Sequence, residues 1–307
     1  MGIEGNNMRS SEANRAGNGK RYPYLEELSR EVGVPAENLV RTLEIEEEFH
    51  ERVLRENDPT KRKHMYREVY SKVHALYPER STNAGQNSMD AIVRVFRRQL
   101  ENRSILDVGC GSGEFLMAMA RLLPHKRLVG IDTSATVLRR DQMGIQFIQG
   151  DIIDFTLGEP FDVVFSHNVL EHIAPADVPA HLTSLRNAVA DGGMLILVMA
   201  HRLFGPSDVT RIVDYTRTNR IPARGTHLFE STYSEVIPML REHGFSKFYT
   251  LSRLLPLRVL KHLLPSFAVN PSLLMCVERS RWLLRLVYRL RWKGKPVFWF
   301  KIHLICE

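Results

Sequence analysis

Three polar residues near the middle of the chain could form a reaction centre, and their spacing brings them together. The segment Ser166-His-Asn-Val-Leu-Glu-His172 follows an apolar run and carries Asn168, Glu171 and His172 at positions i, i+3 and i+4. Residues at this spacing share one face of a helix. An imidazole has an unperturbed pKa close to neutrality, which suits it to accept a proton from a hydroxyl group. The segment therefore predicts a reaction centre at the end of a strand.

A glycine-rich loop earlier in the chain predicts the ligand that meets this centre. Ile105 to Leu116 has the pattern of a buried strand that opens into Gly109, Gly111 and Gly113 and then into a helix. Glycine lets the backbone turn sharply and leaves no side chain where a ligand approaches, and the free N–H groups of the helix face that ligand. The spacing is G-x-G-x-G, unlike the G-x-G-x-x-G of dinucleotide-binding proteins. The loop indicates a nucleotide-like ligand, and a tight turn without a ligand is the alternative.

Acidic residues at the ends of the predicted strands suit particular parts of such a ligand. Asp107 lies inside the first strand, two residues before the glycines, where a carboxylate attracts an amine and repels a pyrophosphate. Two further strands end in acids, and these acids are placed for ribose hydroxyls and for an exocyclic amine: Leu128 to Asp132 and Gln146 to Asp151. A fourth and a fifth strand are predicted at Phe161 to Ser166 and Gly193 to Met199.

In order and spacing, these segments resemble the S-adenosylmethionine-binding motifs of class I methyltransferases, over roughly residues 86 to 252. The resemblance implies an α/β, Rossmann-like fold with a seven-stranded mixed sheet and helices on both faces. It also implies S-adenosylmethionine as the cofactor, with Gly109 and Gly111 beneath it, Asp132 on its ribose, Asp151 and Ile152 at its adenine and Asp107 near its ammonium group. Gly113, Thr133 and His167 complete the expected cofactor contacts. A doubly wound domain for another nucleotide, or for none, is the alternative.

The segment around Glu171 is similar to the E-x-x-E-H motif of ubiquinone-biosynthesis O-methyltransferases and small-RNA 2′-O-methyltransferases, which hold a divalent metal there. Glu171 and His172 match, Asn168 replaces the first glutamate, and Pro222 to His227 resembles the G-T-H segment of the ubiquinone enzymes. The resemblance implies Glu171, His172 and His227 as catalytic residues and, with Asn168, as candidate metal ligands. Because an amide oxygen is a weaker, neutral ligand, we expect a metal-free site in which His172 or His227 removes a hydroxyl proton. A divalent metal, or a bracing role for Glu171 and His172, is the alternative.

The chain divides into three predicted parts. Residues 1–22 are rich in Gly, Asn and Ser and predict disorder, residues 23–85 predict a helical extension, and residues 86–307 predict the methyltransferase domain. Asn57-Asp-Pro59 ends one helix of the extension and begins the next. These helices either cover the cofactor and shape the acceptor pocket or only bury apolar surface. Three scattered cysteines do not make a disulfide framework and favour a reducing compartment.

A basic and apolar insertion, residues 253–295, is predicted before the last strand, Pro296 to Cys306. It contains ten Lys or Arg and one acid, Glu278, although the whole chain carries a net charge of only +7. A helix over 278–292 would align Arg281, Arg285 and Arg289 beside tryptophan and leucine, a pattern typical of helices at an anionic membrane surface. The alternative is a helix that packs on the protein's own core. Nucleic acid is a less suitable partner, because the segment is too apolar for a groove that follows phosphates.

These patterns lead to three functional hypotheses. The first is an S-adenosylmethionine-dependent O-methyltransferase whose acceptor is a lipid-linked or polysaccharide sugar, or a prenylated phenol, at a membrane surface. The second is a soluble small-molecule methyltransferase of secondary metabolism, and the third is a cofactor-binding scaffold without catalysis. No run of eighteen apolar residues occurs in the sequence, so we expect a cytoplasmic protein, peripheral on the inner face of the membrane under the first hypothesis.

Overall fold

The computed structural model describes residues 21–76, 82–134, 143–215, 221–252, 267–292, 295–296 and 301–307. All but the last two residues of the predicted disordered segment 1–22 lie outside the described residues. The same holds for residues 253–266 and 293–294 of the predicted insertion, and for residues 297–300 of the predicted last strand.

Parallel strands built from apolar runs form the centre of the molecule. The strands are β1 (Ser104–Val108), β2 (Arg127–Asp132), β3 (Ile145–Gln149), β4 (Phe161–His167), β5 (Val189–Ala200), β6 (Phe248–Leu251), β7 (Ala268–Val269), β8 (Arg291–Trp292), β9 (Lys295–Pro296) and β10 (Lys301–Cys306). The main sheet has the order β3-β2-β1-β4-β5-β10-β6-β7, and β8 and β9 form a separate hairpin. Strands β1 to β5 are parallel, whereas β10 runs antiparallel to both β5 and β6.

The mixed, Rossmann-like sheet is confirmed, with eight strands rather than seven. The additional strand, Ala268–Val269, comes from the inserted segment and pairs with the edge of β6. The third strand ends at Gln149, so Asp151 lies in the loop beyond it rather than at the strand end. The last strand is described from Lys301 onwards.

The helices are α1 (Leu25–Val32), α2 (Ala36–Arg55), α3 (Pro59–Ala75), α4 (Thr82–Val95), α5 (Arg97–Leu100), α6 (Glu114–Leu122), α7 (Val178–Ala188), α8 (Tyr233–Glu242), α9 (Ser272–Arg279) and α10 (Arg281–Arg289). The predicted boundary at Asn57-Asp-Pro59 is confirmed, since α2 ends at Arg55 and α3 begins at Pro59. Helix α8 begins with a capping box at Thr232, whose N–H donates to the Glu235 carboxylate over 3.0 Å.

Helices cover both faces of the sheet, as predicted. Along β1, Ile105 packs in one apolar cluster, whereas Leu106 and Val108 pack in another. Because successive side chains of a strand point to opposite faces, the two clusters lie on opposite sides of the sheet. One cluster includes residues of α7 and α8, and the other includes residues of α4 and α6. The sheet is therefore a buried middle layer.

The strand order opens a cleft at one edge of the sheet. Strands β1 and β4 are neighbours, but the chain leaves β1 towards β2 on one side and continues from β4 towards β5 on the other. In open α/β sheets, ligands bind outside the carboxyl ends of the strands at such a switch point. The glycine loop follows β1 and the Asn168 segment follows β4, so both sequence-predicted sites meet at this cleft.

The N-terminal helices pack directly against the sheet and the elements that follow it. Helix α1 shares an apolar cluster with Ile212, and helices α2 and α3 share another with Ile153 and Ala174. A buried ion pair joins α3 to the start of α7: Arg62 Nε donates to Asp177 Oδ2 over 2.8 Å, and the Tyr66 hydroxyl donates to the same oxygen over 3.0 Å. The extension therefore forms one wall of the same packed body.

The C-terminal segment forms two short helices rather than the single helix predicted over 278–292. Ser280 has an extended backbone between α9 and α10, and its hydroxyl accepts a hydrogen bond from the Leu283 N–H, which caps the second helix. Hydroxyl groups at this position stabilise a new helix start at the expense of continuation. Among the described residues, no helix is both long and apolar enough to cross a membrane.

Replacing Arg62 by Ala should destabilise the protein by about 3–5 kcal/mol, since it leaves the buried Asp177 carboxylate without its charge partner. Urea unfolding measures the change. Arg52→Ala is the matched control, because Arg52 forms an exposed ion pair with Glu48 on α2 and should leave the midpoint almost unchanged. Equal effects of the two substitutions would contradict the anchoring role of Arg62.

Candidate active site

The glycine loop after β1 bends through left-handed backbone conformations that glycine favours. Gly109, Gly111 and Gly113 have φ angles of 73°, 52° and 77°. A Cβ atom on Gly109 would lie 2.4 Å from Val169, whereas one on Gly111 would meet no atom within 4 Å. Gly109 therefore allows close packing of the loop against the segment after β4, and Gly111 faces open space, where a ligand can approach the backbone.

Asp132, at the end of β2, fixes the loop and faces the same space. Its Oδ2 accepts a hydrogen bond from the Gly111 N–H over 2.8 Å, and its Oδ1 accepts one from the Ser134 N–H over 2.8 Å. Each carboxylate oxygen has further lone-pair capacity for a donor. The carboxylate is therefore both a brace for the loop and a fitting acceptor for a pair of ribose hydroxyls.

A cavity of about 800 Å³ extends from this loop to the N-terminal helices. Its loop side includes Gly109, Gly111, Asp132, Thr133, Asp151 and Ile152. Its opposite wall is formed by side chains of α1, α2 and α3, among them Leu28, Leu39, Glu46, Tyr66 and Tyr70. Between the two sides lie Asn168, His172, Thr226 and His227. Most of the predicted cofactor and catalytic residues therefore share one cavity.

Three of the predicted cofactor residues do not line this cavity. Gly113 lies behind the loop against the Phe147 ring, where a Cβ would meet that ring at 2.6 Å. Asp107 is buried beneath the loop, and burial, together with the nearby Asp132, raises its pKa well above the usual value. His167 lies beside the Phe165 ring, and burial lowers its pKa to about 3. Cofactor contacts for these three residues stay predictions, and their surroundings are those of packed side chains.

Asp151 has a partner that the sequence did not indicate. Its Oδ2 forms a 2.5 Å ion pair with the Lys63 ammonium group of α3, and its Oδ1 accepts the Ile153 N–H over 2.9 Å. The neighbouring Ile152 lines the cavity as an apolar surface. An adenine amine that binds Asp151 would therefore share the carboxylate with Lys63. Helix α3 covers the predicted adenine site.

Asn168 does not share a helical face with Glu171 and His172, contrary to the prediction. It has a left-handed backbone with φ of 56°, and only Leu170–His172 form a short 3-10 turn after it. Its side-chain oxygen accepts a hydrogen bond from the Lys301 ammonium group over 2.8 Å. A left-handed residue interrupts a helix at its start, and a carbonyl oxygen that faces Lys301 is a poor candidate for a cation.

Glu171, His172 and His227 lie together at one side of the cavity: the two histidines line it, and Glu171 is buried next to them. Their ligating atoms lie within 4.8 Å of one another, and the two imidazole rings meet edge to face with centroids 4.6 Å apart. His172 Nδ1 is 3.2 Å from the Thr226 carbonyl oxygen, and His227 Nδ1 is 2.6 Å from Glu230 Oε1. Each ring is thus held through Nδ1, which leaves its Nε2 for another partner.

The two histidines have opposite charge preferences. Burial, assisted by the charge of His227, lowers the pKa of His172 well below its usual value. Burial alone would also lower the pKa of His227, but Glu230, Asp208 and Glu171 outweigh it and raise that pKa to about 9. His172 is therefore neutral near pH 7 and able to accept a proton, whereas His227 is a cation. Of the two proton acceptors predicted from the sequence, the geometry favours His172.

The same three residues also suit a divalent metal. Glu171 Oε2 is buried without a hydrogen-bond partner, although Oε1 accepts the Ala200 N–H over 3.1 Å. One carboxylate and two imidazoles with oriented rings form a ligand set that zinc and other first-row divalent metals accept. A bound metal would take Glu171 Oε2 and the free imidazole nitrogens, and it would replace the proton on His227. Asn168 is not needed for this set.

Helix α2 contributes two residues that sequence reasoning missed. The Glu46 carboxylate accepts the Thr226 N–H over 3.0 Å, and His50 Nδ1 is 2.8 Å from the Gly225 carbonyl oxygen. Together they hold both polar groups of the peptide that joins Gly225 to Thr226, next to His227. One signal was present in the sequence: Glu46 falls on the apolar face of the helix with Leu39, Leu43 and Phe49, where an acid is unusual.

Comparisons with known proteins agree with this geometry. Residues 105–193 match the family model described as a methyltransferase domain. The chain is 32% identical over 115 residues to trans-aconitate 2-methyltransferase of Afipia carboxidovorans, covering 36% of this chain and 43% of that protein. It is also 32% identical over 160 residues to the ubiquinone biosynthesis O-methyltransferase of Brucella ovis, covering 49% of this chain and 60% of that protein. The chain carries a class I methyltransferase domain.

S-adenosylmethionine is the cofactor of this domain, and the Gly111–Asp132 side of the cavity fits it. A third relative, carboxy-S-adenosyl-L-methionine synthase of Helicobacter hepaticus, is 28% identical over 163 residues, covering 46% of this chain and 68% of that protein. The chain spans about half the length of the trans-aconitate and ubiquinone relatives. The matched family model covers residues 105–193, which include the glycine loop, Asp132 and the segment after β4. The wall formed by α1 to α3 lies outside the matched family model.

Asp132→Ala should weaken binding of S-adenosylhomocysteine roughly 100-fold, since a hydrogen bond to a charged group contributes about 1.5–3 kcal/mol. Calorimetric titration measures the affinity. Asp154→Ala is the matched control, because Asp154 is an exposed acid near the same end of the sheet and should bind normally. Unchanged binding by Asp132→Ala would contradict the ribose contact.

Glu46→Gln should change the pH dependence of stability in a defined direction. Burial, assisted by Asp208, raises the pKa of Glu46 from 4.5 to about 7. Between these values the folded protein binds more protons than the unfolded chain, so native stability falls as pH rises. The glutamine variant lacks this loss and should gain about 3 kcal/mol relative to the native protein between pH 4 and pH 8.

Unfolding with urea at several pH values measures this difference. The amide oxygen of glutamine can still accept the Thr226 N–H, so the contact that positions the loop is kept. Glu44→Gln is the matched control, since Glu44 is exposed on the same helix and should track the native protein. A constant stability difference between Glu46→Gln and the native protein at all pH values would contradict the buried, raised pKa.

Proposed function

We propose that the protein is an S-adenosylmethionine-dependent O-methyltransferase that acts on a hydroxyl-bearing acceptor with an apolar part, met at a membrane surface. The candidate acceptors are a lipid-linked or polysaccharide sugar and a prenylated phenol. The observation that carries this proposal is the single cavity that joins the cofactor loop, the neutral His172 and the apolar wall of the N-terminal helices. The name of the Brucella ovis relative, a ubiquinone biosynthesis O-methyltransferase, is in keeping with transfer to oxygen.

The residues of this chain suit each requirement of the reaction. S-adenosylmethionine, when bound, supplies an electrophilic methyl group that a hydroxyl oxygen can attack in line. Asp132 and the Gly111 backbone orient the donor, and positioning supplies most of the rate in such a transfer. His172 donates Nδ1–H to the Thr226 carbonyl and so presents an unprotonated Nε2 to take the hydroxyl proton. The cationic His227 stabilises negative charge that develops on the acceptor oxygen.

The far wall of the cavity has the composition expected for an amphipathic acceptor. Leu28, Val32, Leu39 and Val73 contribute apolar surface from α1, α2 and α3. Glu46 and Asp208 line the same region, and both carboxylates approach Gly225, where a Cβ would lie 2.2 Å from Glu46 Oε2 and 2.7 Å from Asp208 Oδ2. Paired carboxylates accept hydrogen bonds from neighbouring hydroxyl groups. A lipid-linked sugar or a prenylated phenol offers both kinds of surface.

A second candidate function is methylation of a small soluble acid. Arg67 and Arg211 line the acceptor side of the cavity, and guanidinium groups bind carboxylates well. The name of the Afipia carboxidovorans relative also indicates a small acid acceptor for that protein. A scaffold without catalysis is the third candidate, and formation of any methylated product excludes it.

Transfer of a labelled methyl group tests these functions. The protein is incubated with methyl-labelled S-adenosylmethionine and, in separate reactions, with a bacterial lipid extract, a prenylated phenol and a mixture of small organic acids. Label that partitions into organic solvent from the first two mixtures supports the proposed function, and label found only in the acids supports the second candidate. Addition of a chelator, followed by Zn²⁺ or Mg²⁺, shows whether the Glu171, His172 and His227 group acts through a metal.

His172→Ala should lower the transfer rate by about 10²–10⁴-fold, the range for loss of a general base, while binding of S-adenosylhomocysteine stays close to normal. His125→Ala is the matched control, because His125 lies outside the cavity and contacts only the Leu123 carbonyl through its ring. A rate unchanged by His172→Ala would remove this residue from the mechanism.

A further inference from the structure

The C-terminal segment 267–290 carries most of the exposed large apolar side chains in the described part of the protein. Eight large hydrophobic residues are exposed among the described residues, and five of them lie between 267 and 290. These five are Phe267, Leu273, Trp282, Leu286 and Leu290, with exposed fractions of 69% for Trp282 and 63% for Leu273. Single exposed hydrophobic residues are common on proteins, but such a concentration marks a surface that binds a partner.

Helix α10 has a clear division between an inner and an outer face. Leu283, Leu284, Val287 and Tyr288 are partly buried against the protein. The outer face consists of the exposed residues Arg281, Trp282, Arg285, Leu286 and Arg289. Because these positions follow a spacing of three to four residues, the apolar pair Trp282 and Leu286 lies beside a row of three arginines.

The acid of this region faces away from solvent. Glu278 is the sole Asp or Glu between residues 267 and 292, and its side chain is 7% exposed. Its carboxylate accepts the Tyr233 and Ser234 N–H groups at the start of α8 and lies 2.8 Å from His201 Nε2. Burial alone would raise the pKa of Glu278, but the hydrogen bonds from His201, Ser234 and Tyr233 outweigh it and the pKa is lowered. The ionised acid stays inside, and the three arginines of the outer face form no ion pair with any residue that the structure describes.

We propose that the outer face of α10, together with the flanking Phe267 and Leu273, is a docking surface for a membrane that contains anionic lipid. Tryptophan and leucine insert at the boundary between headgroups and acyl chains, while arginine extends its charged group to the lipid phosphates. Two copies of this surface would repel each other through their arginines, which argues against self-association. The exposed tryptophan and leucine side chains exceed what a nucleic-acid backbone would need.

The docking surface is connected to the cavity through a short path. The Tyr288 hydroxyl donates to the Leu203 carbonyl over 2.8 Å, and the Tyr288 ring contacts Phe204. Three residues later, the Ser207 N–H donates to Glu230 Oε1, the oxygen that also contacts His227 Nδ1. Helix α10 therefore packs against the segment 203–207, which leads to the acceptor side of the cavity. This connection deepens the proposed function by naming the surface from which the acceptor arrives, and the docking itself can be tested without any acceptor.

Sedimentation with sucrose-loaded vesicles tests the docking surface. The full-length protein is mixed with vesicles of phosphatidylcholine alone or with 30% phosphatidylglycerol, a fraction chosen to be roughly that of an anionic leaflet. We expect binding to the anionic vesicles only, weakened at high salt. Arg281→Gln/Arg285→Gln should lower the partition coefficient roughly 25-fold, since each basic residue near the surface contributes a factor of about five. Trp282→Ser should lower it as well. Because the chain has three tryptophans, the shift of tryptophan fluorescence to shorter wavelength on binding should occur in the native protein and be smaller in Trp282→Ser.

Matched substitutions at another exposed surface serve as controls. Arg52→Gln/Arg55→Gln makes the same charge change on α2, and Leu54→Ser removes an exposed apolar side chain from that helix. Circular dichroism checks that every variant is folded. The proposal is overturned if the native protein ignores anionic vesicles, if the control variants lose binding equally, or if ultracentrifugation without lipid shows a dimer that Trp282→Ser dissociates. Because neither cofactor nor acceptor is present, an absence of methyl transfer would leave the docking result intact.

Discussion

The candidate active site depends on the placement of one buried acid, Glu171. Its carboxylate accepts the Ala200 N–H at the end of β5, and its backbone carbonyl accepts the Leu228 and Phe229 N–H groups. The residue thus joins the end of β4, the end of β5 and the loop that carries His227. Burial raises the pKa of Glu171, so the residue is held there at a cost in solvation that the surrounding hydrogen bonds offset in part. Without this junction, His172 and His227 would belong to separate loops with no fixed distance between them.

The N-terminal helices turn a common cofactor-binding fold into an enclosed reaction chamber. The cofactor loop needs only the sheet and its switch point, but much of the acceptor side of the cavity is made by residues of α1 to α3, which come before that loop in the chain. Glu46 and His50 hold the loop beside His227, and Tyr70 contacts the His172 ring edge to face. These contacts couple the helical extension to the geometry of the reaction centre. Proteins that share this cofactor loop can therefore bind different acceptors if their N-terminal helices differ.

Strands and the cofactor loop could be predicted from the sequence because local patterns determine them. Continuous apolar runs specify the buried strands β1 to β5, and glycine at positive φ specifies the turn at Gly109 and Gly111. Asn168 was misplaced because its left-handed backbone, and its bond to Lys301 of the last strand, depend on a contact 133 residues away. The roles of Glu46 and Lys63 depend in the same way on partners far along the chain. The break at Ser280 was not predicted because the residues on both sides of it are compatible with one continuous helix. The break depends on the Ser280 hydroxyl, which caps α10.

Helix α3 forms two ion pairs through neighbouring residues, Arg62 and Lys63, and the two pairs differ in how deeply they are buried. Arg62 donates two hydrogen bonds to the buried Asp177, whereas Lys63 contacts the partly exposed Asp151 through a flexible side chain of four carbons. Rotation of a partly exposed side chain takes picoseconds to nanoseconds, far less than the microseconds to milliseconds of a moving helix. A ligand at the predicted adenine site beside Asp151 would therefore have to displace Lys63 alone, while Arg62 keeps α3 in place. Exchange of the methyl donor and its spent product would then need only the rotation of one side chain and no movement of α3.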